Sequence, residues 1–128
     1  MSPGPAGARA VLLPHWERCR GWLLAALQPE CGTEADLLED VACGRAQLWA
    51  GERAALVTQC VDDPSGRCLH VWLAGGDLKD ILMLKPGIEA WARGRGCERV
   101  TLDGRRGWAR VLRAHGYTSN GIELERRL

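Results

Sequence analysis

Arg67-Cys-Leu-His-Val-Trp-Leu-Ala-Gly-Gly-Asp77 joins a run suited to extended backbone to two glycines and then to a carboxylate that opens an amphipathic segment. Leu69, Val71 and Leu73 fall on one side of a strand, with Cys68, His70 and Trp72 on the other. Neither set is polar enough for open water, so this strand is expected to be central and covered on both faces. Gly75-Gly76 break it, and Asp77 is placed to cap the following helix.

Upstream, residues 46–50 and 53–61 are short runs separated by Gly51-Glu52, and Asp62-Asp-Pro-Ser-Gly66 separates the second from residues 67–74. That pattern predicts an antiparallel three-strand meander with one tight and one longer turn. Before it, Trp16, Cys19, Leu23 and Leu27 recur at helical spacing over residues 13–27, with Pro14 in the first turn and Pro29 beyond the end. Thr33-Glu-Ala-Asp36 resembles a capping box for a second, short helix that Gly44 ends.

Downstream, Ile81, Leu84, Ile88 and Trp91 form a stripe over residues 78–95, where Pro86-Gly87 predicts a kink or a handover between two helices. Residues 99–102 read as a fourth strand and 105–115 as a helix with Trp108, Val111, Leu112 and His115 on its apolar face. Gly116-Tyr117 suits a left-handed cap, and residues 121–128 alternate as a last strand. The expected order is α-α-β-β-β-α-β-α-β, an α+β domain over residues 13–128 after a disordered Pro/Gly-rich lead-in at 1–12.

The 128 residues suit one domain, 46% being hydrophobic and 26% charged. The net charge of +1 recommends neither nucleic acid nor an anionic membrane. It hides an asymmetry: nine Arg stand against four acids from Arg93 onward, whereas eight basic and twelve acidic groups precede it. No apolar run approaches the roughly 20 residues of a membrane span. The N-terminus lacks a signal-peptide pattern, so a cytoplasmic setting with reduced cysteines is expected.

The six cysteines and three histidines include no Cys-x-x-Cys or His-x-x-x-His pair, so no metal is expected. His70 beside Trp72 reads first as a hydrogen-bonded core histidine. No nucleophile elbow, phosphate loop or dinucleotide fingerprint occurs. Gly75-Gly76 sit where backbone amides can cradle a pyrophosphate, but Asp77 would take the free helix amides itself and repel a phosphate. Arg105, Arg106, Arg110 and Arg113 form one basic helix face, to which Arg99, Arg126 and Arg127 are candidate additions. Lacking interleaved aromatics, that face fits an acidic protein partner better than nucleic acid.

The element order resembles the GNAT (Gcn5-related N-acetyltransferase) fold, best over residues 69–128. Ile88-Glu-Ala-Trp-Ala-Arg-Gly-Arg-Gly-Cys-Glu-Arg-Val-Thr-Leu102 resembles the family's cofactor-side helix running into the next strand, and Val111-Leu-Arg-Ala-His-Gly-Tyr117 its Leu-Tyr-x-x-x-Gly-Phe segment. The Trp-x-x-Val-Leu-x-x-x-Gly-Tyr pattern is also similar to small GNAT-like proteins of tailed phages and prophages.

The resemblance implies a central mixed, mostly antiparallel sheet flanked by helices, and an acyl-CoA site whose pyrophosphate loop falls near Gly76, Lys79 and Ile81. The family's glycines are missing there. The tyrosine that protonates the departing thiolate corresponds to Leu112, and the asparagine before it to Arg105. These departures imply a degenerate site without cofactor, in a structural or interaction protein of a phage or prophage, with a protein or phage-assembly partner, in the bacterial cytoplasm or on a virion. The alternative is an atypical acetyl-CoA-dependent N-acetyltransferase. It would bind the cofactor at Ala74, Gly75, Gly76 and Lys79, with His70, Asp77 and Glu52 as candidate bases. It also requires that neither Trp72 nor Met83 fill the groove beside residues 74–76.

Overall fold

The computed structural model describes residues 9–27, 30, 32–103, 106–119 and 123–128. They form α1 (Arg9–Ala26), α2 (Glu34–Ala42), β1 (Gln47–Ala50), β2 (Ala54–Asp63), β3 (Gly66–Gly76), α3 (Leu78–Gly94), β4 (Arg99–Asp103), α4 (Arg106–Arg113), β5 (Thr118–Ser119) and β6 (Glu123–Arg127). The fold is mixed α+β, with one six-stranded sheet in the order β1-β2-β3-β4-β6-β5. Every neighbouring pair is antiparallel except β3 and β4.

Local chemistry explains the element ends. Thr33 caps α2 by accepting from Asp36 N while Asp36 accepts from Thr33 N, a reciprocal box that satisfies two amides the helix leaves open. α3 and α4 end alike: Cys97 N–H reaches back to Ala92 C=O at 2.9 Å and Tyr117 N–H to Leu112 C=O at 3.0 Å. In each case the residue after the glycine folds a buried side chain under the last turn.

Helices cover both faces of the sheet. On one, α1 and α2 bury Trp16, Cys19, Leu23, Leu37 and Val41 against Leu48, Ala55, Val57 and Leu73. On the other, Ile81, Ile88 and Ala92 of α3 and Leu112 of α4 meet Trp49, Leu56, Leu69, Val100, Leu102 and Leu124. Side chains as enclosed as Leu23 and Leu48, both 0% exposed, contribute about 2 kcal/mol each to folding.

β3 departs from simple alternation. Val57 pairs with Leu73 and Thr58 with Val71, so Trp72 is an extra residue without a partner on β2. Leu69 and Val71 face α3, while both Trp72 and Leu73 turn to the α1 side. The expected grouping of Leu73 with Leu69 and Val71 is thereby corrected: a bulge inverts the alternation, which a period of two cannot register.

Other boundaries also move. α1 begins at Arg9, inside the segment expected as lead-in, and Pro14 lies beyond its first turn. α3 runs unbroken through Pro86. The turn at 62–66 is tighter than expected, since Asp63 pairs with Gly66 and Asp63 Oδ1 accepts from both Ser65 N and Oγ. β5 was not foreseen; at two residues it is too short to carry a pattern. His115 is exposed instead of sharing the apolar face of α4.

Candidate functional site

The junction between β3 and α3 gathers most of the residues singled out for ligand binding. Asp77 is the N-cap of α3, and its Oδ1 accepts from Lys79 N at 3.0 Å. Its own N–H donates to Arg53 C=O at 2.8 Å, and Asp80 Oδ2 accepts from Arg53 N at 2.8 Å. The turn between β1 and β2 is thus tied to the first turn of α3, and it carries the exposed Glu52.

Both glycines serve chain packing here. A Cβ on Gly75 would stand 2.6 Å from the Trp22 carbonyl oxygen of α1. Gly76 has φ +100°, and a Cβ there would meet Arg53 O at 2.3 Å. Only glycine allows α1 and the β1–β2 turn to approach this closely. Ala74 is half-buried against the α3 side of the core, and Lys79 is exposed. Asp77, Glu52, Lys79 and the glycines therefore share one end of the sheet.

His70 does not join them. It lies seven residues before Asp77 along β3, roughly 20 Å away at the rise of a strand. Its Nδ1 shares a 2.9 Å hydrogen bond with Thr101 Oγ1 across the parallel pair. Together with Val61, Cys68 and Arg99 these two residues line an open depression of about 280 Å³. Arg99 is held there by Asp63 at 2.6 Å and Glu125 at 3.7 Å. Hydrogen bonds from Ser65, with the Arg99 charge added, hold the Asp63 carboxyl below its ordinary range.

The basic helix face is described in part. Arg110 and Arg113 are exposed, the side chain of Arg106 is not among those described, and Arg105 lies outside the described residues. Arg99 and Arg126 do not extend this face, because each is committed to carboxylates. Pairing with acids wins over display because both side chains lie partly inside the protein, where an unpaired charge is costly.

A buried charged cluster escaped the sequence reading. Lys85 and Glu89, 8% and 5% exposed, occupy core-facing positions of α3 that the stripe of Ile81, Leu84, Ile88 and Trp91 does not include. Arg126 Nη1 donates to both Glu89 oxygens, Lys85 Nζ lies 3.7 Å from Glu89 Oε2, and the ammonium sits 4.5 Å from the centre of the Tyr117 ring. Burial pushes the Lys85 pKa down, Glu89 opposing and Arg126 reinforcing the shift. Burial likewise pushes Tyr117 up, with Glu89 adding to the rise. The i,i+4 spacing of Lys85 and Glu89 was the available signal, though a solvated helix face carries the same one.

Among the described residues no group of three or more His, Cys, Asp or Glu side chains could hold a metal ion, and no helix is long and apolar enough to cross a membrane. The described cysteines are free thiols; Cys97 is pushed up to about 12 by burial first and by neighbouring Cys60 next. Comparison of the chain with protein-family models and with curated proteins gave no match.

Proposed function

We propose that the chain is a GNAT-like domain with a degenerate acyl-CoA site, acting without catalysis as an interaction or structural protein of a phage or prophage. Its setting would be the bacterial cytoplasm or a virion, and its partner another protein or assembly component. The observation that carries this reading is the occupation of the α3 N-terminus by Asp77, whose carboxylate accepts from Lys79 N at 3.0 Å. A diphosphate placed there would meet a negative charge before it met free amides. Gly75 and Gly76, pressed against Trp22 and Arg53, already use on the protein the close approach that a cofactor would need.

The fold assignment draws support from the parallel β3–β4 pair in an otherwise antiparallel sheet, with α3 between the two strands. The phage assignment rests on the Trp108 to Tyr117 pattern. Contact with an acidic partner would use α4, where Arg110 and Arg113 are exposed. The test is calorimetric titration with acetyl-CoA together with its effect on Tm. No heat of binding and no thermal shift are expected, whereas a ligand at a hundred times its Kd stabilises by about 2.7 kcal/mol. A clear shift would overturn the reading.

One observation favours the atypical N-acetyltransferase. β3 pairs with β4 only from Cys68↔Arg99 to Val71↔Leu102, so Trp72 to Gly76 continue past the paired stretch. Trp72 packs toward α1, and Met83 is 72% exposed. Neither side chain therefore fills a gap between the strands, and transfer of labelled acetyl from acetyl-CoA to an amine would decide for this alternative.

A further inference from the structure

At the far end of α3 from Asp77, a cleft of about 530 Å³ lies between the α2–β1 turn and the last turn of the helix. Its size is that of a small-molecule site. The separation of thirteen positions between Leu78 and Trp91 puts it about 20 Å from the β3–α3 junction, so it is independent of any acyl-CoA site.

The cleft contains one polar side chain whose orientation is fixed from below. Gln47 is 8% exposed, and its Oε1 accepts from Thr58 Oγ1 at 2.9 Å; Thr58 in turn accepts from Trp49 Nε1 at 3.0 Å. An indole N–H can only donate, so the threonine proton must point onward, and the group it meets must be the amide oxygen. The amide nitrogen is what Gln47 has left to offer a ligand, and it is purely a donor.

The walls carry Arg45, Arg67 and Arg95 against one carboxylate, Asp62, which is paired with Arg67. Arg45 is held by Asp40 at 2.9 Å, and Arg67 by Asp62 at 2.8 Å and by the Arg95 carbonyl at 2.7 Å. The Arg95 guanidinium lies 5.0 Å from the centre of the Trp91 ring. Among the described residues no carboxylate stands within ion-pair distance of Arg95. The cleft thus combines a buried donor, an uncompensated planar cation and the half-buried indole of Trp91. Donors and a guanidinium without an answering acceptor match an oxyanion, and the indole matches an apolar body attached to it.

We propose that this cleft binds a small organic oxyanion, its charged group held by Arg95 and the Gln47 amide and its apolar part laid along Trp91. Exposed Cys60 on the cleft lining provides a reporter. In the full chain, alkylation of Cys60 by iodoacetamide would be followed by peptide mass spectrometry, with free N-acetylcysteine as the reference thiol. The probes are benzoate, phenyl phosphate and the neutral benzamide.

Bound anion should slow Cys60 by a factor of 1 + [L]/Kd, about five-fold at four times Kd. Protection by benzoate alone identifies a carboxylate site and by phenyl phosphate alone a phosphoryl site; either supports the proposal. Arg95→Ala, at an exposed position, should weaken protection about ten-fold, the order of a charged hydrogen bond. Gln47→Glu should weaken it further by repulsion. Equal protection by benzamide, no protection by either anion up to about 10 mM, or undiminished protection in Arg95→Ala would overturn the proposal.

Discussion

Arg126 on β6 grips Glu89 on α3 through a single nitrogen, Nη1 standing 2.9 and 2.8 Å from the two carboxylate oxygens. The side chain of Glu89 is 7% exposed, and its other cation among the described residues is Lys85 at 3.7 Å. Arg126→Met leaves a buried carboxylate with the weaker partner. We expect a loss of about 2 kcal/mol in urea denaturation, below the usual 3–5 for breaking a buried pair because the Arg126 side chain is 34% exposed. Removing the other two charges as well, in the Arg126→Met, Glu89→Leu, Lys85→Met triple variant, should restore most of that loss, since no buried charge is then left unpaired. A triple variant as unstable as the single one would contradict this.

Lys85 and Tyr117 set opposite slopes in alkaline solution. Because the folded Lys85 pKa is lowered, the native state binds fewer protons than the unfolded chain between that value and about 10.4. Stability from this group rises with pH through the window. Tyr117 is raised, so above about 10 the unfolded chain loses a proton that the native state keeps, and stability falls. Cys97 and Cys19, raised by burial, add to that fall from about 8.5 upward, so the parent's urea midpoints balance one rising contribution against three falling ones. Lys85→Met removes the rising one, and its midpoints should drop more steeply than the parent's up to about 10.4.

Two glycine-to-alanine changes should act in opposite directions. Gly75→Ala drives a Cβ to 2.6 Å from the Trp22 carbonyl oxygen, where backbone must shift, and should cost about 2 kcal/mol. Gly21→Ala, exposed in the middle of α1 with nothing within 4 Å of the new methyl, should add about 0.5–1 kcal/mol through helix propensity. Thermal melts of the two variants beside the parent protein check both signs.

Thr58 is the middle of the relay that runs from Trp49 to Gln47, and it is 0% exposed. Thr58→Val keeps the shape but strands an indole N–H and an amide oxygen inside the sheet. About 2–3 kcal/mol should be lost in denaturation, the cost of leaving buried groups unmet. A neutral Thr58→Val would mean that water reaches these atoms.

Periodicity and caps made most of the scaffold readable. Thr33, Asp77, Gly96 and Gly116 stand where the helix ends fall, because an oxygen-bearing side chain before a helix and a glycine after it act locally. What stayed hidden was non-local. The extra residue at Trp72 shows only when β3 is laid beside β2. The burial of Lys85 and Glu89 depends on Arg126, thirty-seven residues further on. The cleft at Gln47 needs three separate segments to meet, so no spacing in the chain announces it. By contrast, the cluster of Glu52, Asp77 and the glycines was half visible, since the two strands and the helix that build it are sequence neighbours.

The four-residue parallel ladder from Cys68 to Val71 is also the seam between two subassemblies. On one side, β1, β2 and β3 are consecutive and each pairs with the next; on the other, β6 pairs with β5 and, across α4, with β4, all within the last thirty residues. Their union must wait for α3 to close the long loop between them, since parallel pairing has no local route. Backbone amides in that ladder would therefore report when the two halves become one molecule, and strain applied between the termini would part the sheet there first.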